Sequence, residues 1–195
     1  MKTSFCLKIS LLLLLMIGAL LLNVSAFNEL EYNVEKNILR NLPDENITVS
    51  AGTISSDSNS SKGVICDGKY DTVTGYSGTW WAVEEEQYGA TIEFDLGKVY
   101  DLNMLVLETG YPCDLEFAEN CEIWNSFDVY YHNGFDYVKA ENASVKNRYE
   151  YHIELSLKGI YTRKLKIVST QSTNFRVREI ILTENKAYNN PIKCF

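Results

Sequence analysis

Histidine is scarce in this chain, with two in 195 residues, and both His132 and His152 fall in strand-like patterns. No Gly-x-Ser-x-Gly, His-Glu-x-x-His or Gly-rich phosphate loop occurs, so the common hydrolase, metallopeptidase and nucleotide-dependent signatures are missing. Scattered acids could form a glycosidase pair, but the pattern selects no two of them. The cysteines show no C-x2-C spacing and have no histidines beside them, which argues against a zinc site. Cations are also short: 18 Lys and Arg face 26 Asp and Glu, for a net charge of −8. Nucleic acid and anionic membrane both reward clustered Lys and Arg, so both are disfavoured. Neutral glycans, basic proteins or a bound cation remain compatible.

What is present begins with a targeting signal. Lys2 and Lys8 precede the apolar run Ile9 to Leu22, and Val24-Ser25-Ala26 supplies small residues for cleavage after Ala26. The run is shorter than the roughly 20 residues that a spanning helix needs, and no second long apolar run follows. A secreted, extracellular chain of 169 residues is expected, enough for one domain with its own core. Cys66, Cys113, Cys121 and Cys194 remain, an even number that reads as two disulfides with three possible connectivities. Pairing Cys113 with Cys121 would close a short loop, and Cys66 would then join Cys194. Sequons at Asn46, Asn59 and Asn142 are candidate glycosylation sites.

Leu30, Val34, Ile38, Leu39 and Leu42 recur at roughly helical spacing, so residues 27–46 read as a short leader, helical or extended, outside the main domain. Ser55 to Gly63 is loop by composition. From Ala90 onward the period is two. Ala90, Ile92, Phe94 and Leu96 face one way up to Gly97; Leu102, Met104 and Val106 follow; Phe127, Val129 and Tyr131 lead into Asn133-Gly134, a strong hairpin signal. Further strands are predicted at Phe135–Lys139, Tyr149–Leu155, Leu165–Ile167 and Phe175–Ile181. Seven or eight short strands with almost no helix predict an all-β, antiparallel β-sandwich or jelly roll.

With the strands placed, residues 47–184 resemble the discoidin family, the C-type domains of coagulation factors V and VIII. The pieces that match are ITVSAGTISSDSNSSKGVICDGKYDT, ATIEFDLGKVYDLNMLVLE, SFDVYYHNGFDYVKA, and RKLKIVST followed by RVREIILTE, in that order. The resemblance implies a galactose-binding-like jelly roll at 47–184, after a signal peptide at 1–26 and the leader at 27–46. Residues 185–195 would form a tail tied by a disulfide. Two features depart from the family: Thr74 stands where a Trp is usual, and the His and Arg set of fucose-binding members is missing.

Four places could carry binding. In sandwich-type carbohydrate modules the turn equivalent to DGKYDT holds a structural calcium closed by a Glu on the last strand. The resemblance thus implies Asp67, Thr72 and Glu179 as ligands, and Asp71 joins them on its chemistry as a hard oxygen donor. Trp80 and Trp81 are adjacent on a strand, so they point to opposite faces; one is expected in the core and the other, with Tyr76, at the surface for the apolar side of a sugar ring. The loop from Tyr111 to Trp124 carries Asp114, Glu116, Glu119 and Glu122. Asn174, Arg176 and Arg178 offer directional bonds. The family likeness implies a non-catalytic carbohydrate-binding module that uses loops at one end of the sandwich, with extracellular carbohydrate or glycoprotein as partner; membrane lipid is disfavoured because the aromatic loop continues into Glu84-Glu85-Glu86. A protein–protein adhesion component without a sugar site is the alternative.

Overall fold

The alternation from Ala90 to Leu96 does what a period of two demands: Ala90, Ile92, Phe94 and Leu96 are buried and the residues between them are not. This stretch belongs to a computed structural model that describes residues 36–55, 62–68, 80–84, 89–110 and 121–185. The chain divides into Met1–Glu35, wholly outside the described residues, and Lys36–Phe195. Within the second unit nine strands are described: β1 (Ile47–Val49), β2 (Thr53–Ser55), β3 (Trp80–Val83), β4 (Thr91–Thr109), β5 (Phe127–His132), β6 (Tyr137–Val145), β7 (His152–Ser156), β8 (Tyr161–Ser169) and β9 (Phe175–Glu184). Every pairing between them is antiparallel. The fold is an antiparallel, galactose-binding-like β-sandwich.

One strand organises both layers. The first part of β4 pairs with β1 and β8, and β8 continues through β5 to the edge strand β6. The later part of β4 pairs with β7 on one side and β9 on the other, and β9 continues through β3 to β2. The register shifts between Asp95 and Tyr100, around Gly97 at φ +79°. The sequence pattern predicts two strands broken at Gly97; the structure keeps one strand of 19 residues that bends there and passes from one layer to the other. A bulge lets the backbone turn without ending its ladder.

The core is filled from both layers by Ile92, Phe94, Leu105, Leu107, Phe127, Val129, Leu165, Ile167, Val177 and Ile180, among others. Near one end it is aromatic. Trp124 stacks on Phe175 with centroids 4.6 Å apart, and Trp81 meets both edge-on at 5.5 and 5.4 Å.

The expected leader is corrected in its second half. Leu39 is fully buried in the core, and Ile38 N–H donates to Leu182 O at 2.9 Å. Asn37 is buried beside it and bonded at both ends: Nδ2 donates to Cys66 O and Ile180 O, and Oδ1 accepts from Leu39 N and Leu182 N. An amide that satisfies four backbone groups cannot be a loose appendage. The domain therefore begins about ten residues before Ile47.

The hairpin at Asn133-Gly134 lies where the dipeptide predicts, but its connection spans four residues between paired His132 and Tyr137. Asn133 Oδ1 accepts from Phe135 N and Asp136 N and shapes the turn.

Candidate functional site

β3 ends and β9 begins at the same end of the sandwich, because the two strands are antiparallel neighbours with Val83 opposite Phe175. Between them and the segment that starts at Cys121 lies a cleft of about 350 Å³, bordered by Val83, Glu84, Glu122, Asn174, Phe175 and Arg176. Phe175 is buried, whereas Glu84 and Asn174 are exposed. Trp80 is half-buried, and the Arg176 guanidinium carbon lies 5.6 Å from its ring centroid, within reach of a cation–π contact. Arg176 also pairs through Nε with Glu122 Oε2.

The backbone fixes this arrangement. Arg176 N–H donates to Glu122 O at 2.7 Å, and Gly110 N–H donates to Arg176 O at 2.8 Å. Glu122 has φ +51°, a left-handed conformation that a non-glycine residue keeps only when its surroundings hold it. Gln171 supplies much of that hold. Its Oε1 accepts from Asn125 N at 2.8 Å and Ser126 N at 3.2 Å. Its Nε2 lies 3.3 Å from the carbonyls of Ile123 and Asn174 and 3.1 Å from Thr173 Oγ1.

Of the residues expected to touch a ligand, Trp80, Asn174 and Arg176 come together here. Trp81 is the member of the pair that packs into the core, so its ligand role is corrected, as is that of Trp124: both are 0% exposed. Trp81 Nε1 donates to Ala51 O at 2.9 Å, and both indoles belong to the aromatic core, where burial of a large ring is worth more than display. Tyr76 and Tyr111 lie outside the described residues, as do Asp114, Glu116 and Glu119. Arg178 is buried and reaches Glu108 at 3.8 Å, away from the cleft. Sequence reasoning missed Gln171. A polar residue between two strands reads as ordinary loop, and nothing local marks it as buried.

Elsewhere, Glu179 is fully buried on β9. Its Oε1 accepts from Gly68 N at 3.1 Å, while Oε2 has no hydrogen-bond partner among the described residues. Burial pushes this carboxyl up to about 8, and the nearby acids Asp67 and Glu108 push the same way. A carboxyl with one oxygen lacking a donor, close to a second acid, is mostly neutral at pH 7 by itself and would ionise readily only beside a cation. Asp71 and Thr72 lie outside the described residues, and among those described no group of three or more potential ligands gathers.

The expected Cys66–Cys194 bridge is also corrected. Cys66 is a buried thiol whose Sγ donates to Leu39 O at 3.5 Å, and burial raises it to about 12, assisted by Glu179 and Asp67. Such a thiol stays protonated at neutral pH. Cys194 lies outside the described residues. Cys121 is fully buried, and Cys113 too lies outside.

His152 is held between Glu108 Oε1 at 2.6 Å and Glu154 Oε1 at 3.1 Å. The Glu108 bond raises the imidazole to about 9 against the cost of burial, so the ring is a cation at neutral pH. His132 Nδ1 accepts from Gly134 N at the hairpin. Asn142 is exposed on β6, whereas Asn46 commits its amide to Asp95 O at 2.8 Å. Asn59 lies outside the described residues.

No protein-family model matches the chain, and no curated protein does. Solved structures do. A Streptococcus pneumoniae fucose binding module, SpX-3, has a TM-score of 0.56 at 16% identity, covering 77% of this chain and 98% of its own. The lectin domain of lectinolysin, complexed with Lewis B antigen, has 0.55 at 16% identity over 76% and 96%. Chitosan-binding module 1 from a chitosanase/glucanase of Paenibacillus sp. IK-5 has 0.52 at 13% identity over 75% and 97%. At these identities the likeness is one of fold.

Proposed function

We propose that this chain is a secreted, non-catalytic carbohydrate-binding module of discoidin type that takes a saccharide in the cleft beside Trp80. The observation that carries this reading is the partly exposed Trp80 indole set against Arg176, with Glu122 and Asn174 at the same cleft. A flat ring covers the C–H side of a sugar, while guanidinium, carboxylate and amide groups bond to hydroxyls as donors and acceptors. Three neighbours of the same fold are named for fucose binding, chitosan binding and a complex with Lewis B antigen, which supports the class of ligand without choosing one. Each hydroxyl bond contributes on the order of 1 kcal/mol net, so one site of this size should bind at about millimolar strength.

Calcium belongs to the same proposal. Asp67 and Glu179, joined by Asp71 and Thr72, would hold it. Bound there, the ion would tie the turn after Cys66 to β9 and react with nothing. A Cys113–Cys121 bridge, supported by Cys121, which is buried and disulfide-bonded, would brace the loop that leads to Glu122. Glycosylation is assigned to Asn142 rather than to Asn46, whose amide is engaged.

The test is calorimetric titration of the full chain with L-fucose, chitosan oligosaccharides and the Lewis b oligosaccharide, repeated with Trp80→Ala and Arg176→Ala. Binding of at least one saccharide, weakened about tenfold by either change at unaltered melting temperature, is the expected result. Binding that ignores both substitutions would displace the site. Silence with all three, alongside capture of a protein partner, would favour adhesion without sugar. Turnover of a glycoside would overturn the non-catalytic reading.

A further inference from the structure

A second groove, of about 540 Å³, opens at the other end of β8, between the bend in β4 and the turn that joins β5 to β6. β4 contributes Asp95 and Val99, the end of β5 His132, the turn Asn133, and β8 Tyr161, Arg163 and Lys164. None of these residues belongs to the Trp80 cleft. Beyond Lys164, the five residues of β8 up to Ser169 run from the groove toward the other end of the strand, about 16 Å at strand rise.

Among the described residues, three of the four exposed large hydrophobic side chains gather here, Tyr149 lying elsewhere. Val99 and Tyr161 are each 63% exposed, and Phe135, next to Gly134 of the groove, is 89% exposed. An isolated exposed apolar side chain is ordinary. Two that line one groove from separate strands, with a third on the adjoining turn, are not scattered.

The polar groups beside them are ordered and mutually neutralised. Arg163 Nε and Nη2 donate to the two oxygens of Asp95 at 2.7 and 3.0 Å, a bidentate pair. Gly97 N–H donates to Asp95 Oδ1 at 3.0 Å. Lys164 sits 3.8 Å from Glu93 and 4.0 Å from Asp95. The frame is equally fixed: Thr162 Oγ1 donates to His132 O at 2.8 Å, which binds β8 to the turn. Two planar groups held in register, with further guanidinium N–H donors and carboxylate lone pairs beside an uncovered phenol ring, present a donor, an acceptor and an apolar face together.

We propose that this groove is a second saccharide-binding site. A pyranose needs all three features at once, since each hydroxyl donates and accepts while the C–H side seeks an apolar plane. Because the cations here already face carboxylates, the groove gives an anion little reward and suits a neutral ring. Its volume lies within the range of small-ligand sites, and its bonded frame keeps the cost of ordering on binding low. The site stands independently of whether the Trp80 cleft binds anything.

The experiment is a two-dimensional amide NMR titration of the full chain with L-fucose, chitosan oligosaccharides and the Lewis b oligosaccharide, each to about 20 mM to reach weak affinities. Shifts at Val99, Gly134 and Tyr161–Lys164 are expected, separable from any near Trp80 and Arg176. Tyr161→Ser, at an exposed position, should weaken the groove response about tenfold without altering the other set, and Trp80→Ala should do the reverse. If no saccharide moves a groove amide, or if Tyr161→Ser leaves the groove shifts intact, the second site is wrong. Shifts confined to the Trp80 cleft would sink this inference alone, and shifts confined to the groove would sink the first reading alone.

Discussion

Gln171 illustrates how far one buried side chain can reach, because its two ends hold two loops in place. Replacing it with Ala leaves the N–H groups of Asn125 and Ser126 without their acceptor inside the protein. A buried donor left unmet costs about 1–3 kcal/mol, so Gln171→Ala should lower stability by about 2–4 kcal/mol in urea unfolding. The same change should slacken Glu122 and Asn174 on either side of the cleft. His152 gives a pH signature. Its folded pKa of about 9 is raised above the ordinary 6.5, so the stabilisation it contributes is complete below about 6.5 and disappears as pH rises through about 9. His152→Gln should therefore be less stable than the parent at pH 6 and equal to it at pH 10. An imidazole that titrates near 6.5 by NMR would contradict the bond to Glu108. Gly52, at φ +79°, permits no side chain: a Cβ there would strike Ala82 O, Val83 and the Trp81 indole. Gly52→Ala should disturb β2 and β3 together.

Among elements, the segment before β1 matters most for defining the domain. A chain that starts at Ile47 loses Leu39 from the core and the four bonds of Asn37. Burial of one Leu and a fully satisfied amide together are worth about 4–6 kcal/mol, and a version starting at Lys36 should keep that stability while the shorter one melts earlier. The sequence does not reveal this. Leu39 and Leu42 belong to an apolar pattern of roughly helical spacing that does not say what it packs against, and the meaning of Asn37 depends on Leu182, 145 residues away. The strands themselves are legible because burial on one face imposes a period of two, as at Ala90–Leu96 and along β7. Trp80 and Trp81 are legible only as a pair. Alternation demands that one face inward, but choosing Trp81 requires knowing that Phe175 and Trp124 await it. Asn174 and Arg176 were readable as polar residues entering the last strand; their meeting with Glu122 follows from a bridge between Ile123 and Arg176 that no local pattern encodes.

For the whole molecule, the calcium proposal makes a thermodynamic demand. Metal-stripped full chain should gain about 2.7 kcal/mol of unfolding free energy at a hundredfold excess of calcium over its dissociation constant, read as a rise in melting temperature. Glu179→Gln should abolish that rise, and a stripped parent that ignores calcium would dismiss the ion. The largest-scale feature is β4 itself. Since it lends hydrogen-bonded neighbours to β1 and β8 in one layer and to β7 and β9 in the other, neither layer is a self-sufficient half. Severing the peptide between Gly97 and Lys98 would leave two polypeptides, each needing the other before it gains an interior. A force drawn on one layer would pass to its companion along covalent backbone instead of through side chains that can slip.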